Sequence, residues 1–175
     1  MKIILVFVST LDGKVTRWGD PDVKSWSSKY DQKYFRKIWD YSELIVMGST
    51  TYNVDPIKPS KKHLLVVMTR EPEKYEKYEV AGTLEFKKES PVELFSDFEK
   101  RGYEAMVVVG GPHIATSFLK EGLVDELWLT IEPKIFGKGD SIVTTKRLDI
   151  SLQLISCEKV NEQGTLITKY LVLKR

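Results

Sequence analysis

Runs in this 175-residue chain that are apolar at every position include Ile45-Val46-Met47, Leu64 to Met68, and Met106 to Val109. A strand with one wet face alternates polar and apolar residues, so a run without alternation needs cover on both faces. That requirement points to the interior of a parallel sheet with helices on either side. Strands are expected at about 2–8, 44–47, 64–68, 83–87, 105–109, 126–132, 151–159 and 165–173.

Between these runs, apolar residues return at helical spacing. Tyr34, Phe35, Ile38 and Trp39 form a stripe over about 30–41, and Leu94, Phe95 and Phe98 form another that stops at Gly102. Ile114, Phe118 and Leu119 make a third, ending near Gly122. The last fifth of the chain differs: Leu152 to Val160 and Leu166 to Leu173 flank Asn161-Glu162-Gln163-Gly164, the pattern of an antiparallel hairpin. The expected fold class is α/β, a three-layer arrangement with a mixed, mostly parallel central sheet, flanking helices and a C-terminal antiparallel hairpin. No linker, repeat or low-complexity tract interrupts it, so residues 1–175 are expected to form one domain.

Composition removes several function classes. Hydrophobic residues make up 42% and charged residues 30%, the range of soluble globular proteins. A net charge of +2 is too small to argue for a nucleic-acid partner. A single cysteine, Cys157, allows neither an internal disulfide nor an iron–sulfur cluster. His63 and His113 lie far apart, so no metal site is expected. The apolar opening Ile3 to Val8 meets Ser9, Thr10 and Asp12 at once, which suits a core strand and not a signal peptide. No stretch approaches the roughly 20 apolar residues of a membrane span. A cytoplasmic protein with no membrane partner is the expectation.

Chemistry is concentrated at the strand ends. Val107-Val108-Val109 runs into Gly110-Gly111-Pro112-His113-Ile114: a buried strand, two glycines, then a helix with proline in its first turn. Adjacent glycines let backbone approach an anion, and a helix N-terminus offers free N–H groups. A plain tight turn explains these residues equally well. Met47-Gly48-Ser49-Thr50-Thr51-Tyr52 repeats the plan with three hydroxyls, of which an N-cap accounts for one. Thr69-Arg70 adds a hydroxyl and a guanidinium at the next strand end, where ligands of open α/β sheets collect. A lone arginine is more often a solvated charge. Asp31 stands near the start of the first helix, where a carboxylate can simply balance the helix dipole. Asp12 lies in Leu-Asp-Gly-Lys, itself a strong turn signal.

Taken in order, Asp31-x-x-x-Phe35-Arg36, Ile45-Val46-Met47-Gly48-x-x-Thr51-Tyr52, Thr69-Arg70 and Gly110-Gly111 resemble the signature of dihydrofolate reductases. The closer resemblance is to the reductase domain of riboflavin biosynthesis, the RibD C-terminal type. It rests on Ser9-Thr10-Leu11-Asp12-Gly13-Lys14, Ser25-Trp26-Ser27-Ser28, Glu121 to Leu127 and Pro133-x-x-Phe136-Gly137-x-Gly139, and it spans most of the chain.

The resemblance implies an NADPH-dependent oxidoreductase that passes hydride to a riboflavin-pathway aminouracil bearing a phosphoribosyl group. The alternatives are a dihydrofolate or pterin reductase and a nucleotide-binding module without catalysis. It implies cofactor contacts from Gly48, Thr51, Thr69, Arg70, Gly110, Gly111 and Ile114, with Arg70 facing the adenosine 2′-phosphate. Asp31 and Asp12 would be the catalytic carboxyls. Lys14, Trp26, Asp55 and Lys58 would line the substrate side, and a homodimer is implied. The apolar run Leu127, Leu129 and Ile131 suits pairing, and core burial explains it equally well. One stretch departs from the family. Where riboflavin enzymes carry Asp-Asn-Pro-x-Leu and an arginine, this chain has Asp55-Pro56-Ile57-Lys58-Pro59. That departure bears on the substrate and leaves the cofactor residues intact.

Overall fold

The computed structural model describes residues 1–144 and 147–174. Eight strands form one sheet: β1 (Lys2–Thr10), β2 (Leu44–Gly48), β3 (Leu64–Met68), β4 (Leu84–Lys87), β5 (Ala105–Val108), β6 (Glu126–Glu132), β7 (Ser151–Lys159) and β8 (Leu166–Leu173). Four helices accompany them: α1 (Lys29–Tyr41), α2 (Ser49–Val54), α3 (Pro91–Lys100) and α4 (Pro112–Lys120). The strand order is β4-β3-β2-β5-β1-β6-β8-β7. Neighbours are parallel from β4 through to β6, and β8 runs antiparallel to both β6 and β7.

The unalternating runs are explained by two-sided burial. On one face Ile3, Leu5, Val46, Val66, Met106 and Val108 pack with Leu94 and Phe98 of α3 and with Ala115 and Phe118 of α4. The intervening residues point the other way. Ile45, Met47, Leu65 and Val67 meet Tyr52 of α2, while Ile4, Val6 and Val107 meet Ile38 of α1. Each such aliphatic side chain, removed from water, stabilises the fold by about 1.5–3 kcal/mol before entropy is counted.

Chain direction brings the ends of β1, β2, β3, β5 and β6 to one edge of the sheet. β5 inserts between β2 and β1, so the strand order reverses around it, and a crevice forms where connecting segments part to opposite sides. The two loops bordering the β1–β6 end are laced together. Leu11 N–H donates to Lys134 O, Val15 N–H to Asp140 O and Trp18 N–H to Lys138 O.

One expectation needs correcting. No hydroxyl caps α2: its N-cap is Gly48, and Ser49, Thr50 and Thr51 fall in the first turn. Leu127, Leu129 and Ile131 are half-buried on β6, and Leu127 packs against the core. The edge is β7, whose nine residues are all exposed.

Candidate active site

Gly48, Thr51, Gly110, Gly111 and Ile114 converge although 66 residues separate the first from the last. Gly48 N–H donates to Gly110 O at 3.0 Å and Val109 N–H to Val46 O at 2.9 Å, which sets the ends of β2 and β5 side by side. A methyl group on Gly111 would stand 3.3 Å from Thr51 Oγ1, and one on Gly48 would stand 3.0 Å from Ile114 Cγ1. Gly110 has φ +124°, outside the comfortable range of residues with a side chain. No side chain caps the N-terminus of α2 or α4. The result is a backbone cradle with open helix-start amides, suited to a phosphate or pyrophosphate.

At the next strand end Thr69 N–H donates to Lys87 O, and Thr69 Oγ1 accepts from Glu71 N–H at 3.3 Å. Arg70 follows, exposed, on the same edge as the cradle.

The opposite side of the crevice is built around Asp31, which is 6% exposed. Ser28 is the N-cap of α1, and its Oγ accepts from Asp31 N–H at 3.2 Å. A carboxylate in the first turn of a helix normally gains from the dipole. Here burial is the larger influence and lifts the Asp31 carboxyl to about 6. The Thr130 and Ser27 hydroxyls pull it down and the charge of Glu132 pushes it up. Asp31 therefore exchanges its proton close to neutrality. Buried polar atoms without a hydrogen-bond partner include Trp26 Nε1 and the Tyr34 hydroxyl. Tyr34 is pushed up to about 12, first by burial and then by the charges of Asp31 and Glu158.

Asp12 occupies a different setting. Its carboxylate accepts from Thr10 Oγ1 at 2.5 Å, Gly137 N–H at 2.7 Å and Phe136 N–H at 3.2 Å. These bonds hold its carboxyl below the usual range, with the Thr10 hydroxyl the strongest influence. Asp12 thus ties the loop after β1 to the loop after β6. Lys14 N–H donates to Thr10 Oγ1 in that loop, and its backbone bridges to Ser141. Trp26 is 3% exposed and lies edge-on to Phe136, with ring centroids 5.2 Å apart. Asp55 and Lys58 are exposed after α2, and Asp55 is ion-paired with Lys24.

Sequence reasoning missed Glu132, a carboxyl only 2% exposed at the end of β6. Its Oε1 accepts from Ser28 N–H and its Oε2 from Thr165 Oγ1, each at 2.7 Å. Nothing in the local sequence sets it apart from Glu126 at the other end of the same strand. Among the described residues no group of three or more His, Cys, Asp or Glu is placed to hold a metal ion. Likewise, no described helix is long and apolar enough to cross a membrane.

This arrangement has known counterparts. A family model described as the RibD C-terminal domain matches residues 1–166, and the chain belongs to that family. It is 36% identical over 80 residues to the riboflavin biosynthesis protein RibD of Aquifex aeolicus (strain VF5), a match covering 45% of this chain and 22% of that protein. A pyrimidine reductase-like protein from Corynebacterium diphtheriae superposes with a TM-score of 0.81 at 15% identity, over 99% of this chain and 92% of the other. Dihydrofolate reductase from Enterococcus faecalis, complexed with NADP(H) and RAB-propyl, superposes with a TM-score of 0.72 at 18% identity, over 99% and 97%. The fold is therefore dihydrofolate-reductase-like.

Proposed function

We propose that the protein is an NADPH-dependent reductase of the riboflavin-biosynthesis type, acting on an aminouracil that carries a phosphoribosyl group. The observation that carries this reading is the glycine cradle around Thr51, which any side chain at Gly48 or Gly111 would begin to fill. Membership of the RibD C-terminal domain family supports the substrate class. NADP(H) in the dihydrofolate reductase of the same fold supports the cofactor.

In this reading NADPH supplies hydride at its nicotinamide C4. Gly48, Gly110, Gly111 and Ile114 give the pyrophosphate a close backbone seat, with the Thr51 hydroxyl beside it. Thr69 and Arg70 take the 2′-phosphate, for which a guanidinium has the matching fork of donors. Asp31 relays the proton that the reduction consumes, because its burial lifts the carboxyl to about 6, within reach of proton exchange near neutrality. Trp26 and Lys14 border the substrate side, and Asp55 and Lys58 its outer lip. Asp12 keeps the loops around the reacting centre closed on each other. Alignment of donor and acceptor then supplies most of the remaining acceleration.

A second copy of the chain belongs to the same proposal. β7 is an unpaired edge that exposes Leu152, Leu154 and Ile155, beside Leu171 and Leu173 of β8.

The cradle is tested by Gly111→Val, which puts a branched side chain against Thr51. Calorimetric titration should show NADPH bound by wild type and at least about tenfold weaker binding by the variant, with unfolding temperature little changed. Equal affinity in the two proteins would place the cofactor elsewhere.

A further inference from the structure

Two helices in this molecule begin with the same kind of pair, and only one closes it. In α3, Ser90 Oγ accepts from Glu93 N–H, and the Glu93 carboxylate returns to accept from Ser90 N–H at 2.8 Å. This reciprocal box holds the Glu93 carboxyl below its usual range. In α1, Ser28 Oγ accepts from Asp31 N–H in the same way. The returning bond is absent. Ser28 N–H instead donates to Glu132 Oε1, contributed from a strand 104 residues further along the chain.

We infer that Glu132 is a positioning residue, which takes the N-cap amide of α1 and so leaves the Asp31 carboxyl free to face the substrate. Its geometry is that of a fixed brace. Glu132 Oε2 is held by Thr165 Oγ–H, and Thr165 Oγ1 accepts in turn from Asn161 Nδ2 at 2.8 Å. Asn161 Oδ1 accepts from Gly164 N–H and Thr165 N–H, each at 2.9 Å. The β7–β8 turn is thereby latched, through one buried carboxylate, onto the start of the helix that carries Asp31.

The groups acting on Asp31 are Ser27 ahead of α1 and Thr130 and Glu132 on β6, while Tyr34 of α1 faces the charges of both Asp31 and Glu158 of β7. Releasing the Ser28 amide would let Asp31 fold back on its own helix start, as Glu93 does. The carboxyl would then stop titrating near neutrality.

This inference rests on the reading of Asp31 as the proton-holding group, but its test needs neither cofactor nor substrate. The Asp31 carboxyl carbon is followed by NMR through a pH titration in wild type, Glu132→Gln and Glu132→Ala. Wild type should titrate at about 6. Glu132→Ala should bring the midpoint below the ordinary 3.8, with the Ser28 amide still protected from exchange because Asp31 now holds it. Glu132→Gln retains the Oε1 acceptor and the size of the side chain while losing the charge. It should keep the Ser28 amide protected and move the midpoint down by less. If Glu132→Ala does not fold, Glu132→Gln decides alone. An Asp31 midpoint that stays at about 6 in folded Glu132→Ala, or that falls below 3.8 in Glu132→Gln although the Ser28 amide stays protected, overturns the inference. The reductase reading would stand or fall separately, on turnover.

Discussion

Asp31 sits where two physical effects oppose each other. The start of α1 favours a charged carboxylate, while near-complete burial disfavours it, and burial prevails. A carboxyl raised in the folded state is a liability above its folded midpoint. The destabilisation is full above about 6, shrinks as the pH falls toward 3.8, and is gone below it, where folded and unfolded chains are equally protonated. Asp31→Asn should therefore abolish turnover, leave NADPH affinity intact and raise stability at pH 8 by roughly 2 kcal/mol. Urea unfolding at pH 8 and pH 4.5 checks this, with the larger gain expected at the higher pH. Arg70 makes the second residue-scale prediction. Arg70→Ala should weaken NADPH by about tenfold or more relative to NADH, the scale of one lost charge-assisted contact, and competitive titration measures the ratio. Asp31 could be singled out from sequence because it stands at a helix start within a recognisable spacing. Glu132 could not, since its meaning lies in a contact with Ser28 across 104 residues.

At the scale of elements, the strands were legible because two-sided burial leaves no polar residue in a run, and β2, β3 and β5 end within a residue or two of the expected positions. The start of α2 was misread because Gly48 presents no side chain to cap, and the hydroxyls behind it looked like candidates. The lacing of the loops after β1 and β6 was invisible, since its bonds are mostly backbone to backbone. That lacing makes a prediction. Gly139 has φ +151°, and a methyl group there would lie 2.1 Å from Thr16 O. Gly139→Ala should cost about 3 kcal/mol or more, read as a lower midpoint in urea, because backbone and not a flexible side chain must move.

At the scale of the whole molecule, order along the sheet sorts function. The centre, β2-β5-β1, brings the glycine cradle next to the β1–β6 end, where Glu132 meets the start of the helix that carries Asp31, while β7 closes the sheet at one margin as an exposed apolar edge. That edge predicts a dimer, and Leu154→Lys should convert it to monomer in sedimentation velocity; a monomeric wild type would remove the second copy from the account. The central claim is tested most directly by mixing the protein with NADPH and following loss of its near-ultraviolet absorbance on addition of the aminouracil ribosyl phosphate or, separately, dihydrofolate. The account predicts oxidation with the aminouracil and none in Asp31→Asn. NADPH that binds in the cradle but is oxidised with neither compound would contradict it.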